Sequence, residues 1–186
     1  MTNLLDSVLT DPQYHFWNGS KTSGPSKVDG SFSEVFSFKG KGWYIVNCLS
    51  VRLSNRNSWY CSSEANNPLP LEILSLHRKS FFASEETNLE AIFSYEIIST
   101  NLALVIALKV VSGGNSFAAA FVPIPAVTEK KELEALMDGN QWKSHDHKKF
   151  SNANEGMQRI AIRNIRAEIL MTEEEKSLLK IRIFAV

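Results

Sequence analysis

The side chains best suited to chemistry stand together at His145-Asp146-His147. Alternate residues of an extended segment point the same way, so both imidazoles would share one side, as a metal site requires. Lys143, Lys148 and Lys149 crowd the cluster with positive charge and no third ligand stands nearby, so the segment reads as an ordinary loop without metal. Cys48 and Cys61 are the only cysteines, and both are expected as reduced, inert thiols. Neither lies in a local pattern that pairs a nucleophile with a base, and no G-x-S-x-G occurs. Gly113-Gly114 is followed by strand-forming residues, with no helix carrying Lys-Ser or Lys-Thr, so it predicts a hairpin turn and not a phosphate loop. Glu173-Glu174-Glu175 suits the positive end of a helix and needs no bound cation. The chain therefore reads as a non-enzyme, with no catalytic, cofactor-binding or metal-ligating residue assigned and no cofactor expected.

Binding residues are the next candidates. Arg159, Arg163, Arg166, Lys180 and Arg182 cluster near the last strands and predict a modest basic face. Aromatic residues do not interleave with them in sequence, so a solvated surface is expected in place of a base-stacking platform. Trp17, Trp59 and Trp142 are the candidate exposed stacking residues of a ligand-binding module. Lys plus Arg equals Asp plus Glu, at 20 each, so no global field draws the chain to nucleic acid or to an anionic membrane. The first segment carries Lys21 and Lys27 against Asp6, Asp11 and Asp29, which is no basic arm for neutralising phosphates. Leu4, Leu5, Val8 and Leu9 have helical spacing but lack the flanks of a signal peptide, so no secretion is expected. The longest apolar run, Leu102 to Val111, is broken by Lys109 and is too short to span a bilayer, so no membrane partner is expected.

The elements that must position these residues are mainly strands. Eleven Phe, four Trp and four Tyr supply large side chains for a sheet interior. Residues 1–30 read as an N-terminal arm, with a helix candidate over Met1–Thr10 and a polar, Gly- and Ser-rich stretch after it. Residues 31–186 read as one β-sandwich domain beginning with a strand from Phe32. Trp43 to Leu53 has the clearest alternation and predicts a single strand, while Asn55 to Pro70 is turn-rich and Leu71 to His77 extended. Ala91–Ile98, Leu102–Val111 and Ser116–Val122 predict a three-stranded meander, with the middle strand covered on both faces. Thr128 is a candidate N-cap for a helix through Asp138, stopped by Gly139. From Arg159 the buried parity changes at Arg163-Asn164, which a bulge would explain. Thr172 to Glu175 fits a capping box with one helical turn, and Leu179 to Val186 closes the domain as a strand. The expected fold is all-β: an antiparallel, jelly-roll-like sandwich with about eight strands and one or two short helices.

One stretch carries a resemblance. An apolar strand ending in a Val-Pro corner, Ala118-Ala119-Ala120-Phe121-Val122-Pro123, lies between Gly113-Gly114 and a short helix that ends at Gly139. This resembles the central part of jelly-roll coat proteins of small icosahedral RNA viruses, tymovirus-like ones in particular. The resemblance implies a self-assembling capsid subunit found in the virion or host cytoplasm. Its partners would be copies of itself, with weak and local RNA contacts and no membrane. The alternative is a ligand- or carbohydrate-binding β-sandwich module.

Overall fold

The computed structural model describes residues 43–61, 69–81, 88–142, 145–174 and 177–186 throughout, and before them the backbone of four short strands. The chain divides into two compact units, Met1–Gly40 and Lys41–Val186. In the first, β1 (Leu9–Thr10) pairs antiparallel with β3 (Lys27–Val28), and β2 (Ser20–Ser23) with β4 (Ser37–Lys39). The expected helix over Met1–Thr10, the arm over 1–30 and the strand start at Phe32 lie outside the described residues, except where these strands fall.

Among its described residues the second unit is an all-β sandwich of ten strands and one α-helix. Its strands are β5 (Trp43–Asn47), β6 (Leu53–Tyr60), β7 (Arg78–Phe81), β8 (Leu89–Ile97), β9 (Leu102–Val110), β10 (Ser116–Pro123), β11 (Lys148–Asn152), β12 (Gln158–Ile162), β13 (Ile165–Met171) and β14 (Leu179–Ala185). One sheet runs β11-β10-β9-β8-β6 and the other β12-β13-β14-β5-β7. In the first sheet the strands lie in chain order, whereas in the second β14 returns beside β5, and the chain switches sheets at each step from β5 to β8 and again between β11 and β12. All pairs are antiparallel except β14 with β5, which run parallel.

Alternation builds the core. Ala91, Phe93, Tyr95 and Ile97 of β8 face inward with Leu104, Ile106 and Leu108 of β9, against Ile45, Ile169, Ile181 and Ile183 of the other sheet. Trp43, Phe81, Phe93 and Tyr95 form a chain of edge-on rings with centroids 5.6, 6.0 and 6.4 Å apart, and its middle step crosses between the sheets. The outer face of β8-β9-β10 is also apolar, because α1 (Lys130–Met137) sets Leu133 onto Ile92, Val105, Ala107 and Ala118. Ala107 and Ala118 are cross-strand partners, and their small side chains let the helix approach. This explains why β9 reads as a continuous apolar run.

Several local expectations are corrected. Trp43–Leu53 is two strands in different sheets, because the chain turns at Cys48–Arg52. The Asn47 side chain accepts from Leu49 N at 3.1 Å and donates to Val51 O, Ile73 O and Leu74 O at 2.9, 3.2 and 3.0 Å, so it organises that turn. The period of two persists through the turn because Leu49 and Leu53 return to the core from it. The polar segment after Leu53 is a strand, β6, and Leu71–His77 is irregular apart from the Leu53–Ile73 bridge. The parity change at Arg163-Asn164 is a two-residue hairpin turn between β12 and β13, not a bulge. Thr128 is not the helix cap: Glu129 holds that position, and the buried Thr128 hydroxyl has no hydrogen-bond partner. No helical turn forms at Thr172–Glu174, where Thr172 Oγ1 accepts from Leu178 N at 2.8 Å, and Glu175 lies outside the described residues. A capping box instead forms at Asn152 and Glu155, and the Asn152 amide holds the Glu155 carboxyl below its ordinary pKa.

Candidate functional site

Strand register gathers a defined set of loops at one end of the sandwich. Leu53 faces Ile97, Ile97 faces Leu102, Leu102 faces Pro123 and Ala120 faces Lys148, so the segments beside these residues share an end. In the second sheet Ile162, Ile165 and Ala185 lie together, and Asn47 follows the same direction as β14. The short connection from Asn47 to Leu53 and the hydrogen bond from Ala161 N to Asp146 O at 2.6 Å bring the two sets to one end.

That end is aliphatic. The exposed large hydrophobic residues among those described are Leu71, Leu74, Leu76, Ile124, Val127, Met157 and Val186. The first five sit in two of its loops, Leu69–His77 and Ile124–Val127, and Val186 lies at the same end; only Met157 is at the other. Leu71 and Leu76 are 74% and 75% exposed, almost the least favourable placement for a leucine in water. Leu76 also has φ of 59°, in the left-handed region that Gly or Asn occupies more readily. Asn47 fixes the first loop through its bonds to Ile73 O and Leu74 O, and Ile124 N donates to Asn101 O at 3.2 Å to fix the second. The aliphatic groups are thus presented on anchored backbone. Arg52, Glu72 and Glu129 add exposed charges of both signs nearby, and the His77 ring is exposed beside them.

The outer face of the other sheet is basic. The parity that buries Leu179, Ile181 and Ile183 turns Lys180, Arg182 and Phe184 outward, beside Arg166, Glu168 and Leu170 of β13. Arg159 of β12, Tyr44 and Val46 of β5, and Arg78 of β7 complete it. Among the described residues this face holds five cations and one carboxylate. Glu168 meets Arg159 at 3.0 Å and Arg182 at 3.7 Å. Arg78 lies 4.1 Å from the centre of the Tyr44 ring, and Arg182 lies 5.0 Å from that of Phe184.

No protein-family model matches the sequence, and comparison with curated proteins finds no relative.

Other sequence candidates are placed as follows. His145 and His147 are exposed and stack at 5.6 Å with 13° between their planes; among the described residues no three potential metal ligands gather. Trp142 is half-buried, with Lys148 Nζ 4.0 Å over its ring, and burial lowers the Lys148 pKa. Trp59 is half-buried beside the helix-covered apolar cluster. Trp17 and Lys143 lie outside the described residues. Cys48 and Cys61 are free thiols, half-buried and exposed respectively, and Cys61 Sγ accepts from Glu90 N at 3.2 Å. Gly114, with φ of 129°, belongs to the expected turn between β9 and β10.

Of the predicted basic residues, Arg159, Arg166, Lys180 and Arg182 share the sheet face, whereas Arg163 lies in the end turn. The expectation that aromatic residues are missing from this face is corrected by Tyr44 and Phe184. Tyr44 arrives from a strand more than a hundred residues earlier, and Phe184 was hidden by its even parity beside the apolar series of β14. The aliphatic end was also missed. Its signal is faint: leucines spaced irregularly among turn residues at 71–76, and Ile124 and Val127 around Pro125.

Proposed function

We propose that this protein is a non-catalytic binding module, a β-sandwich that engages an apolar or amphiphilic ligand through the aliphatic loops at one end. The observation that carries this reading is the exposure of Leu71, Leu74 and Leu76 on one anchored loop, with Ile124 and Val127 exposed on a second loop at the same end. Burying a leucine that would otherwise be exposed contributes about 1.5–3 kcal/mol, so even part of this surface supplies useful affinity. Sugar stacking is the less suitable mode, because Lys148 covers Trp142 and Trp59 packs beside the helix.

The test pairs wild type with Leu71→Ser/Leu76→Ser. Sedimentation with phosphatidylcholine vesicles should retain wild type and lose at least about tenfold of the affinity in the variant, by the burial lost at two leucines. The melting transition should be unchanged, since both side chains are solvent-exposed. Equal sedimentation of the two proteins, or none for wild type, refutes the lipid-binding mode.

A second reading is a self-assembling coat subunit of a small icosahedral virus, with copies of itself as partners and weak RNA contacts. The division at Gly40 favours it, because an N-terminal unit of its own can serve as a contact to a neighbouring subunit. Light scattering on the full chain separates the two: a shell-sized particle supports the coat, and a monomer removes it.

A further inference from the structure

We propose that the outer face of the β12-β13-β14-β5-β7 sheet binds single-stranded nucleic acid, a role separate from the aliphatic end. The formal charge of the whole chain is zero, yet this face holds Arg78, Arg159, Arg166, Lys180 and Arg182 against Glu168 alone among the described residues. The imbalance is therefore local and follows from strand register.

Register also sets the spacing. Arg159, Glu168, Arg182, Val46 and Arg78 occupy one row across the five strands. Strands about 4.8 Å apart place the backbone positions of the three arginines of that row at intervals of roughly 9.5 Å, over about 19 Å in all. Arg166 and Lys180 flank it in the neighbouring rows. A flexible chain with regularly spaced anions fits this arrangement better than a compact anion, which could reach only one or two of the cations.

The composition favours phosphate and bases. Four of the five cations are arginines, whose planar forks bind phosphate oxygens through paired hydrogen bonds. Two of those forks lie over rings, Arg78 at Tyr44 and Arg182 at Phe184, and guanidinium planes of this kind can themselves stack on bases. Single strands use this combination: a positive track for the backbone and stacking planes that accept any base. Tyr44, Val46 and Phe184 are half-buried beneath the cations, which gives the track an apolar floor.

Fluorescence anisotropy with labelled oligouridylate of about ten nucleotides tests the proposal on the full-length protein. Four uncompensated cations give an expected slope of log affinity against log salt near −3, at about −0.7 for each neutralised phosphate on a single strand. Arg78→Ala/Arg182→Ala should weaken binding by at least about tenfold and bring the slope close to −1.5. Glu168→Gln removes the compensating carboxylate and should tighten binding severalfold, a gain that misfolding does not produce. Arg182→Lys keeps the charge but loses the flat fork, and should weaken binding severalfold. Absence of binding at low salt, affinity indifferent to Glu168→Gln, or equal binding by Arg182→Lys overturns the proposal. So does a preference for heparin or for phosphatidylserine vesicles over the oligonucleotide. The Leu71→Ser/Leu76→Ser variant should bind the oligonucleotide like wild type, which keeps this result distinguishable from failure of the aliphatic end to bind lipid.

Discussion

Asn47 shows how one side chain can hold a surface it does not belong to. It is fully buried, and its amide joins the end of β5 to the turn that follows and to the backbone of the Leu69–His77 loop. Replacing it with Ala would take the side-chain partner from Val51 O and from the Leu49 amide, while Ile73 O and Leu74 O keep the Leu53 and His77 amides, so Asn47→Ala should cost about 2 kcal/mol. Urea unfolding should show a lower midpoint at unchanged slope. A midpoint equal to wild type would mean that the loop is held by other contacts. Gly139 carries a constraint of another kind: a Cβ there would lie 2.8 Å from Phe150 Cδ1, so this glycine is required by close approach.

Among the elements, the β12–β13 hairpin carries the clearest local strain. Its two-residue turn places Arg163 at φ of 53°, where an L side chain is disfavoured and glycine is at ease. Arg163 is exposed, so its side chain gives little packing in return. Arg163→Gly should therefore stabilise the fold by about 0.5 kcal/mol, the relief of strain less the added freedom of the unfolded chain. Thermal unfolding should show a rise of one or two degrees, by the usual scaling for a chain of this size. A fall would mean that the turn gains more from the arginine than its dihedral costs. Two of the four edge strands are protected by paired cations: Arg78 and Lys79 stand on β7, and Lys148 and Lys149 on β11, which opposes pairing with another chain through these edges.

At the scale of the whole molecule, the sandwich has a defined response to alkali. Burial raises the pKa of Tyr60 to about 12, with Arg56 opposing the shift, and raises that of Tyr95 for the same reason. Tyr95 also donates its hydroxyl to Pro70 O at 2.6 Å. Unfolded tyrosines ionise near pH 10 while these two keep their protons in the folded state, so the unfolded state releases protons first. The stability they contribute is complete below about pH 10 and is lost as pH rises through about 12. For Tyr60 alone the loss is on the order of 2 kcal/mol. The urea midpoint should fall steadily across that window, with phenolate absorbance following unfolding. Tyr60→Phe should flatten the fall, and an unchanged dependence on pH would place the ionising groups elsewhere.

Local alternation was enough to specify the all-β class and the strands of the inner core. Segments such as Leu89–Ile97 and Leu179–Ala185 alternate because one face meets the opposite sheet, and that period of two is local information. The sequence also identified β9 as covered on both faces, since an outer face packed under a helix must be apolar along its own strand. Tertiary structure decided the rest. Whether Trp43–Leu53 was one strand or two depended on Asn47 bonding to backbone 26 and 27 residues away. The polar β6 and the charged β7 became strands because a core edge needed hydrogen-bond partners, a demand that leaves almost no hydrophobic pattern. The surfaces depended most on tertiary structure. Register brought Tyr44 and Arg78 beside Lys180 and Arg182, and collected aliphatic residues from separate loops at one end. A residue's sequence neighbours determine its alternation, but its neighbours on a surface come from strands that only the folded sheet sets side by side.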